Sequence, residues 1–488
     1  MRGIHHKIDP VTTMDSRFRG NDVQGRVKKM KPRTDGANIG KKPMQLRKAA
    51  QLAKHISAAE AASLVKSDMW LDYTTSLAQP DVFDKALGAR ITELQNIKVR
   101  HCLTMRPRAY YEADPEGNHV HNFSLHFSGY DRKRHDEGRC HYIPVNLGEI
   151  PDYYRRFIPP VDIVIIKTCP MDENGNFNFG GANLWHRAII ERAKCVIVEV
   201  NANQLYTYGE GTSLHLSEVD YIIQGDDAPP PVLPNPAPTD VDRAVAKLIT
   251  HEIEDGACLQ IGIGGMPNAV CKMLLESSVR DLGIHTEMMT DGIADLYRAG
   301  RITNARKKLN IGKSIYTFAL GSAELYATLH RNEDILSFPV DHTNLPNNIM
   351  QNDNVISINS TTQIDLQGQA ASESDGLRHI TGTGGQAQFV RGAYASKGGK
   401  SFICLPSTYD KKGERRSRIV LNLTLGNIVT TTRSDTMYVV TEYGMACLKG
   451  KSVPERAQAL ISIAHPDFRE GLERQAYEHR LIPKGFSA

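Results

Sequence analysis

From about residue 44 onward, apolar positions fall in short blocks that switch between helical and strand spacing. Residues 81–95 carry a helical pattern, 97–104 reads as a strand, and 161–167 is a continuous apolar run of the length expected for a buried strand. Residues 182–193 return to helical spacing, and 195–200 form another apolar strand. Further on, Thr239 with Asp242 three residues later predicts a capping box. Val241, Ala244, Val245, Leu248 and Ile249 follow on one helical stripe. Asp255-Gly256 ends that helix, and 257–263 reads as a strand. Strands alternating with helices predict crossover units, a mainly parallel sheet and an α/β fold class.

Between these two series, residues 226–239 read DDAPPPVLPNPAPT, six prolines in 14 residues, which predicts a semi-rigid extended spacer. The 488-residue length favours two domains or one elaborated domain. The expected organisation is a leader over 1–43, a first domain over 44–228, a Pro-rich linker over 229–239 and a second domain over 240–488. No repeat of short period is visible. The leader lacks the apolar core of a secretory signal and is rich in aspartate for a transit peptide, so it reads as disordered and as possible upstream sequence before Met30 or Met44.

Charge changes the picture once it is divided. The leader holds 11 Lys and Arg against 4 Asp, which leaves 48 against 51 acidic residues in the other 445, so the net +4 belongs to the leader. A nearly neutral body offers no basic footprint for nucleic acid. No apolar run approaches membrane-spanning length, so no membrane partner is expected. The eight cysteines are scattered without a C-x-x-C pair, which fits a reduced, cytoplasmic compartment.

Two glycine clusters and one acid carry the candidate chemistry. Gly262-Ile-Gly264-Gly265-Met266-Pro267-Asn268 sits between a strand and a helical stretch, where backbone N–H groups can face an anion. Pro267 stands where a dinucleotide fingerprint needs its third glycine, and a bare strand-to-helix turn remains the alternative. Gly382-Thr-Gly384-Gly385-Gln386 can form a second nest for an oxyanion or phosphate, or a plain turn. Between them lies Glu287, an acid in an apolar, strand-like context, and such a carboxylate is paired, protonated, functional or at an exposed strand end. The Gly-Lys-Ser triplets at 312–314, 399–401 and 450–452 each lack the leading glycine of a phosphate loop, so no nucleoside triphosphate is expected.

The ordered series GIGGMP, HTEMMTDG, GTGGQAQFVRGAYASKGGKSFICLPS and TEYGMACLKGKSVPERAQALISIAHPDFRE resembles the acetyl-CoA hydrolase/CoA-transferase family, most of all its 4-hydroxybutyrate and butyryl-CoA:acetate CoA-transferase members. Trp70-Leu-Asp72-Tyr73 and Pro170-Met-Asp172-Glu-Asn-Gly175-Asn-Phe-Asn-Phe179-Gly180 resemble it as well, so the likeness covers about 44–488. The resemblance implies two similar open α/β domains of the NagB/RpiA type with the active site at their interface. It implies Glu287 as the nucleophile that becomes a glutamyl-CoA thioester. It also implies Gly264, Gly265, Met266, Pro267, Asn268, Gly384, Gly385 and Lys397 as CoA-binding positions. Coenzyme A is then a co-substrate rather than a held cofactor. The partners are an acyl-CoA and a carboxylic acid, and homo-oligomers are common in the family. The expected reaction exchanges CoA between a short-chain acyl-CoA and a carboxylate such as acetate, by ping-pong kinetics. The alternatives are an acyl-CoA hydrolase using the same glutamate and a silent CoA-binding protein.

Other candidates read more plainly. His101, His119, His121, His126, His135 and His141 read as exposed or loop histidines rather than metal ligands, and no metal is expected. Glu373, in a polar, turn-like stretch, reads as a solvated acid. Cys404, in an apolar run, reads as buried and inert. Asp172, Asn174 and Asn176 read as a tight turn rather than a calcium loop.

Overall fold

The chain is described here by a computed structural model that covers residues 53–483, 485 and 486, and the leader lies outside the described residues. The apolar runs become two sheets. The first has eight strands, β1 Lys54–His55, β2 Trp70–Thr75, β3 Ile97–Cys102, β4 Val120–Ser124, β5 Cys140–Tyr142, β6 Ile163–Thr168, β7 Cys195–Val200 and β8 Tyr221–Gln224. They lie in the order β1-β8-β7-β6-β2-β3-β4-β5, every pair parallel. All six residues of β6 are buried, as a strand covered on both faces requires. The second sheet has six strands, β9 Cys258–Ile261, β10 Gly283–Ile284, β11 Val355–Ser360, β12 Lys400–Cys404, β13 Tyr438–Thr441 and β14 Gly444–Cys447, in the order β10-β9-β11-β12-β13-β14. Only the last pair is antiparallel.

Two helices are shorter than their apolar spacing suggests, for visible reasons. The helix expected over 81–95 is α1 Val82–Gly88 followed by a single turn Ile91–Glu93. Gly88 lies so close to the next segment that a Cβ there would sit 2.7 Å from the Ala109 carbonyl carbon. Beyond it, the Arg90 guanidinium turns to the Ala62 carbonyl at 2.6 Å. The helix expected over 182–193 is only α2 His186–Ile190, because the backbone before it is engaged elsewhere. Asn183 N donates to Thr317 O at 3.0 Å, and Leu184 O accepts from Val340 N at 2.8 Å.

The capping box at Thr239 is present and opens α3 Asp240–Thr250, with Asp242 N donating to Thr239 Oγ1 at 3.1 Å and Thr239 N to Asp242 Oδ2 at 2.9 Å. That helix buries Val245, Ala246 and Ile249, and each of the two larger side chains contributes about 2 kcal/mol by leaving water. The described residues belong to one compact unit, and one hydrophobic cluster runs from Val164 and Val198 of the first sheet to Ile261 and Ile358 of the second. Among the described residues, no helix is long and apolar enough to cross a membrane.

Candidate active site

In the second sheet the chain runs from β9 outward to β10 and then returns to β11 on the other side of β9. This reversal opens a crevice at the carboxyl ends of β9 and β11, the usual ligand position in an open α/β sheet. A cavity of about 310 Å3 lies there, lined by Gln260 and Ile261 from β9, Gly262 and Ile263 just past its end, and Asn359 and Ser360 from β11. Gln260 Oε1 accepts from Ser357 Oγ at 2.8 Å and from Asn359 Nδ2 at 3.1 Å, which fixes the polar floor. Gly264 then turns the chain with φ 123°, a backbone state that side chains disfavour, and α4 Gly265–Glu276 begins.

Glu287 enters the same cavity from the segment that follows β10. Its backbone is held on both sides. Ile284 N donates to Asn304 Oδ1 at 2.9 Å and Ile284 O accepts from Lys307 Nζ at 2.8 Å. The Glu287 carbonyl accepts from Thr317 N at 3.1 Å. Glu287 Oε2 accepts from Asn344 Nδ2 at 2.6 Å, at the end of α5 Val340–Asn344. Asn344 Oδ1 in turn accepts from the Thr343 hydroxyl at 2.8 Å, so its NH2 group faces the carboxylate. Burial pushes the Glu287 pKa up to about 7, against the opposing pull of the Asn344 and Gly385 N–H donors.

Gly385 opens α6 Gln386–Ala395. A Cβ on Gly385 would lie 2.0 Å from Glu287 Oε2 and 2.4 Å from Asn344 Nδ2, so only glycine lets this loop approach. The loop is fastened from the first half of the chain. Thr383 N donates to the Tyr142 hydroxyl at 2.9 Å, Leu147 N donates to Gly384 O at 3.0 Å, and the His126 Nε2 is 2.7 Å from Thr381 Oγ1. Burial lowers the His126 pKa to about 4, leaving a neutral imidazole.

Glu373 departs from the solvated reading. It is 4% exposed beneath the loop, where Oε1 accepts from Thr430 Oγ1 at 2.9 Å and Oε2 from Thr383 Oγ1 at 3.2 Å. Those partners, 57 and 10 residues away, are not visible in its neighbourhood.

The first glycine cluster borders the site through three adjoining cavities that share Ile263. Gly264, Gly265, Met266 and Pro267 line a cavity of about 120 Å3, and Gly264 and Asn268 line another of about 300 Å3. Asn268 Nδ2 donates to Asn235 Oδ1 and to Pro236 O, straps the Pro-rich segment over the second of these, and so contacts protein there. The structure thus gathers Glu287, Gly264, Gly265, Met266, Pro267, Asn268, Gly384 and Gly385. It does not bring Lys397 to them. Lys397 is exposed beyond the opposite end of α6, roughly 15 Å from Gly385 by helix rise, and lines none of these cavities. Asn344, Gln260, Asn359 and Tyr142 are partners that the local motifs did not mark.

Elsewhere, the lysines of two Gly-Lys-Ser triplets are paired with acids of the chain, Lys313 with Asp334 at 3.0 Å and Lys400 with Glu252 at 2.7 Å. Cys404 is buried, which holds its thiol well above the ordinary range. Asp172 Oδ1 accepts from Asn174 N at 3.0 Å and Asn176 N at 2.8 Å, an Asx turn. Among the described residues, no group of three or more His, Cys, Asp or Glu is placed to hold a metal ion.

Comparison with known proteins matches residues 41–234 to a model described as the acetyl-CoA hydrolase/transferase N-terminal domain, and residues 321–476 to the corresponding C-terminal domain. The chain is 47% identical over 430 residues to the butyryl-CoA:acetate CoA-transferase of Anaerostipes caccae, covering 87% of this chain and 96% of that protein. Among solved structures, RipA from Yersinia pestis superposes with a TM-score of 0.81 at 38% identity, covering 88% of this chain and 98% of that one. The 4-hydroxybutyrate CoA-transferase of Porphyromonas gingivalis gives 0.73 at 34% identity with the same coverages.

Proposed function

The chain belongs to the acetyl-CoA hydrolase/transferase family and is an enzyme that transfers CoA, and from that premise we propose that it exchanges CoA between a short-chain acyl-CoA and a carboxylate such as acetate through a thioester on Glu287. The observation that carries this reading is the Glu287 carboxylate, held by Asn344 and Gly385 at the floor of a cavity that both glycine clusters approach.

A carboxylate is a weak nucleophile, and two features of the site compensate. Its pKa near 7 leaves an appreciable ionised fraction at neutral pH with higher basicity than an exposed glutamate. The site also fixes its position. Glu287 attacks the thioester carbonyl, the C–S bond breaks, and CoA leaves as thiolate from an acyl-glutamyl anhydride. The thiolate then attacks the glutamyl carbonyl and expels the first acid as carboxylate, giving glutamyl-CoA. An incoming carboxylate attacks the same carbonyl and expels CoA thiolate, giving a second acyl-glutamyl anhydride; the thiolate then attacks the new acyl carbonyl and expels the Glu287 carboxylate, which restores the enzyme.

Each addition at the glutamyl carbonyl places negative charge on a Glu287 oxygen beside the Asn344 and Gly385 donors, and one such donor typically contributes about 3 kcal/mol. Gly264, Gly265, Met266, Pro267 and Asn268, together with Gly384, line the approach for the CoA arm. In this reading residues 44–228 and 240–488 act as two domains joined by 229–239, and their contact shields the thioester from water. The exchange conserves a thioester throughout, so no nucleoside triphosphate enters the scheme.

The test is acceptor dependence. With acyl-CoA alone, thiol release should be slow, and added carboxylate should accelerate CoA transfer with the parallel double-reciprocal lines of a ping-pong scheme. Thiol release at the same rate with and without acceptor would instead assign hydrolysis to the same glutamate.

A further inference from the structure

The charges that line the site constrain the acid it takes. Three cavities meet at Ile263, which is 49% exposed to them. Among the described residues that line one or another of the three, the carboxylates are Asp242, Glu287 and Asp291, one in each cavity, and no lysine or arginine side chain is present. Both aspartates are fixed in place, Asp242 by the Thr239 cap and Asp291 by Ser322 N at 3.2 Å. His126, the basic side chain among the lining residues, is a neutral imidazole at pH 7. Leu103, Leu147, Met288, Phe318 and Leu320 form an apolar part of the wall around Glu287, and the polar side chains that share it, among them Gln260, Asn359, Thr383 and Gln386, are uncharged.

The pantetheine arm of CoA is uncharged and suits such a lining. A second carboxylate on the acid does not, because it would be desolvated without a cationic partner and among fixed negative charges. Resting on the CoA-transfer reading above, we propose that the site is selective for monocarboxylic acids with uncharged chains and excludes dicarboxylates, and that it discriminates by charge rather than length. An apolar pocket distinguishes a single methylene by only about 10- to 200-fold, so acetate, propionate and butyrate all fall within the accepted class.

The deciding comparison uses the full chain with butyryl-CoA as donor and succinate or its monomethyl ester as acceptor, two acids of similar shape that differ by one charge. The expected kcat/KM for succinate is at least tenfold below that for the monoester, and about 100-fold below if the second carboxylate is fully buried. A difference of less than tenfold, or a preference for succinate, overturns the proposal. Covalent trapping separates charge selectivity from transfer itself. If butyryl-CoA labels the wild-type protein but not Glu287→Ala while succinyl-CoA labels it equally fast, the charge selectivity falls and the transfer reading stands. If no acyl-CoA labels the protein, the transfer reading itself falls.

Discussion

Asn344 Nδ2 lies 2.6 Å from Glu287 Oε2, and the Thr343 hydroxyl, donating to Asn344 Oδ1 at 2.8 Å, sets which end of the amide faces the acid. Asn344 therefore favours the ionised form of Glu287 and can donate to the oxyanion formed when that carboxyl is attacked. Replacing Asn344 by Ala should lower kcat by about 100-fold. It should also move the rise of kcat/KM to higher pH, because one of the two donors opposing desolvation is gone. A pH-rate profile of the variant checks both, and a structural defect alone would not move the pKa.

Gly385 makes a separate prediction. Its φ of −97° suits any residue, so Gly385→Ala should fold, yet the added methyl must displace the Glu287 carboxyl or the Asn344 amide. Activity should fall at least tenfold while the thermal midpoint changes by a few degrees at most, as read by steady-state kinetics beside calorimetry.

The raised pKa of Glu287 ties activity to stability with a definite sign. The nucleophile is the ionised form, so kcat/KM should rise with pH through about 7. In the unfolded chain the group titrates near its ordinary 4.5, so between there and 7 the folded state binds more protons. The folded state is therefore penalised progressively as pH rises through that window. Glu287→Gln should be inactive and should gain stability relative to wild type over the same range, on the order of 3 kcal/mol at pH 8, measurable by denaturant unfolding at pH 4 and pH 8.

The legible and illegible parts of this chain divide along physical lines. The capping box at Thr239 and strand β7 were readable because a capping box is a local contact and a buried strand is a continuous apolar run. Glu287 stood out as an acid in apolar surroundings, and both glycine clusters fall where backbone approaches a cavity. Asn344 and Glu373 were not readable in this way, since their importance comes from partners 57 residues away. The ends of the helices over 81–95 and 182–193 were set by Ala109 and by Thr317 and Val340, contacts without periodicity in the sequence. Lys397 shares a motif with the second glycine cluster, but the intervening helix carries it away.

Asn268 strapping the Pro-rich segment predicts a binding effect distinct from a chemical one. Asn268→Ala removes the donors to Asn235 and Pro236 while leaving Glu287 and its partners untouched. The expected result is a several-fold higher KM for acyl-CoA with kcat nearly unchanged, and a stability loss of about 1 kcal/mol. Initial rates over a range of acyl-CoA concentrations check the split.

In the proposed reaction Glu287 carries CoA covalently. Mixing the protein with butyryl-CoA in the absence of acceptor, quenching, digesting and sequencing by mass spectrometry measures this directly. The expected result is the mass of CoA, or of its borohydride or hydroxylamine product, on the peptide containing Glu287, and none in Glu287→Ala. The same mass on another residue, or an unmodified Glu287 peptide in a protein that is turning over, would contradict it.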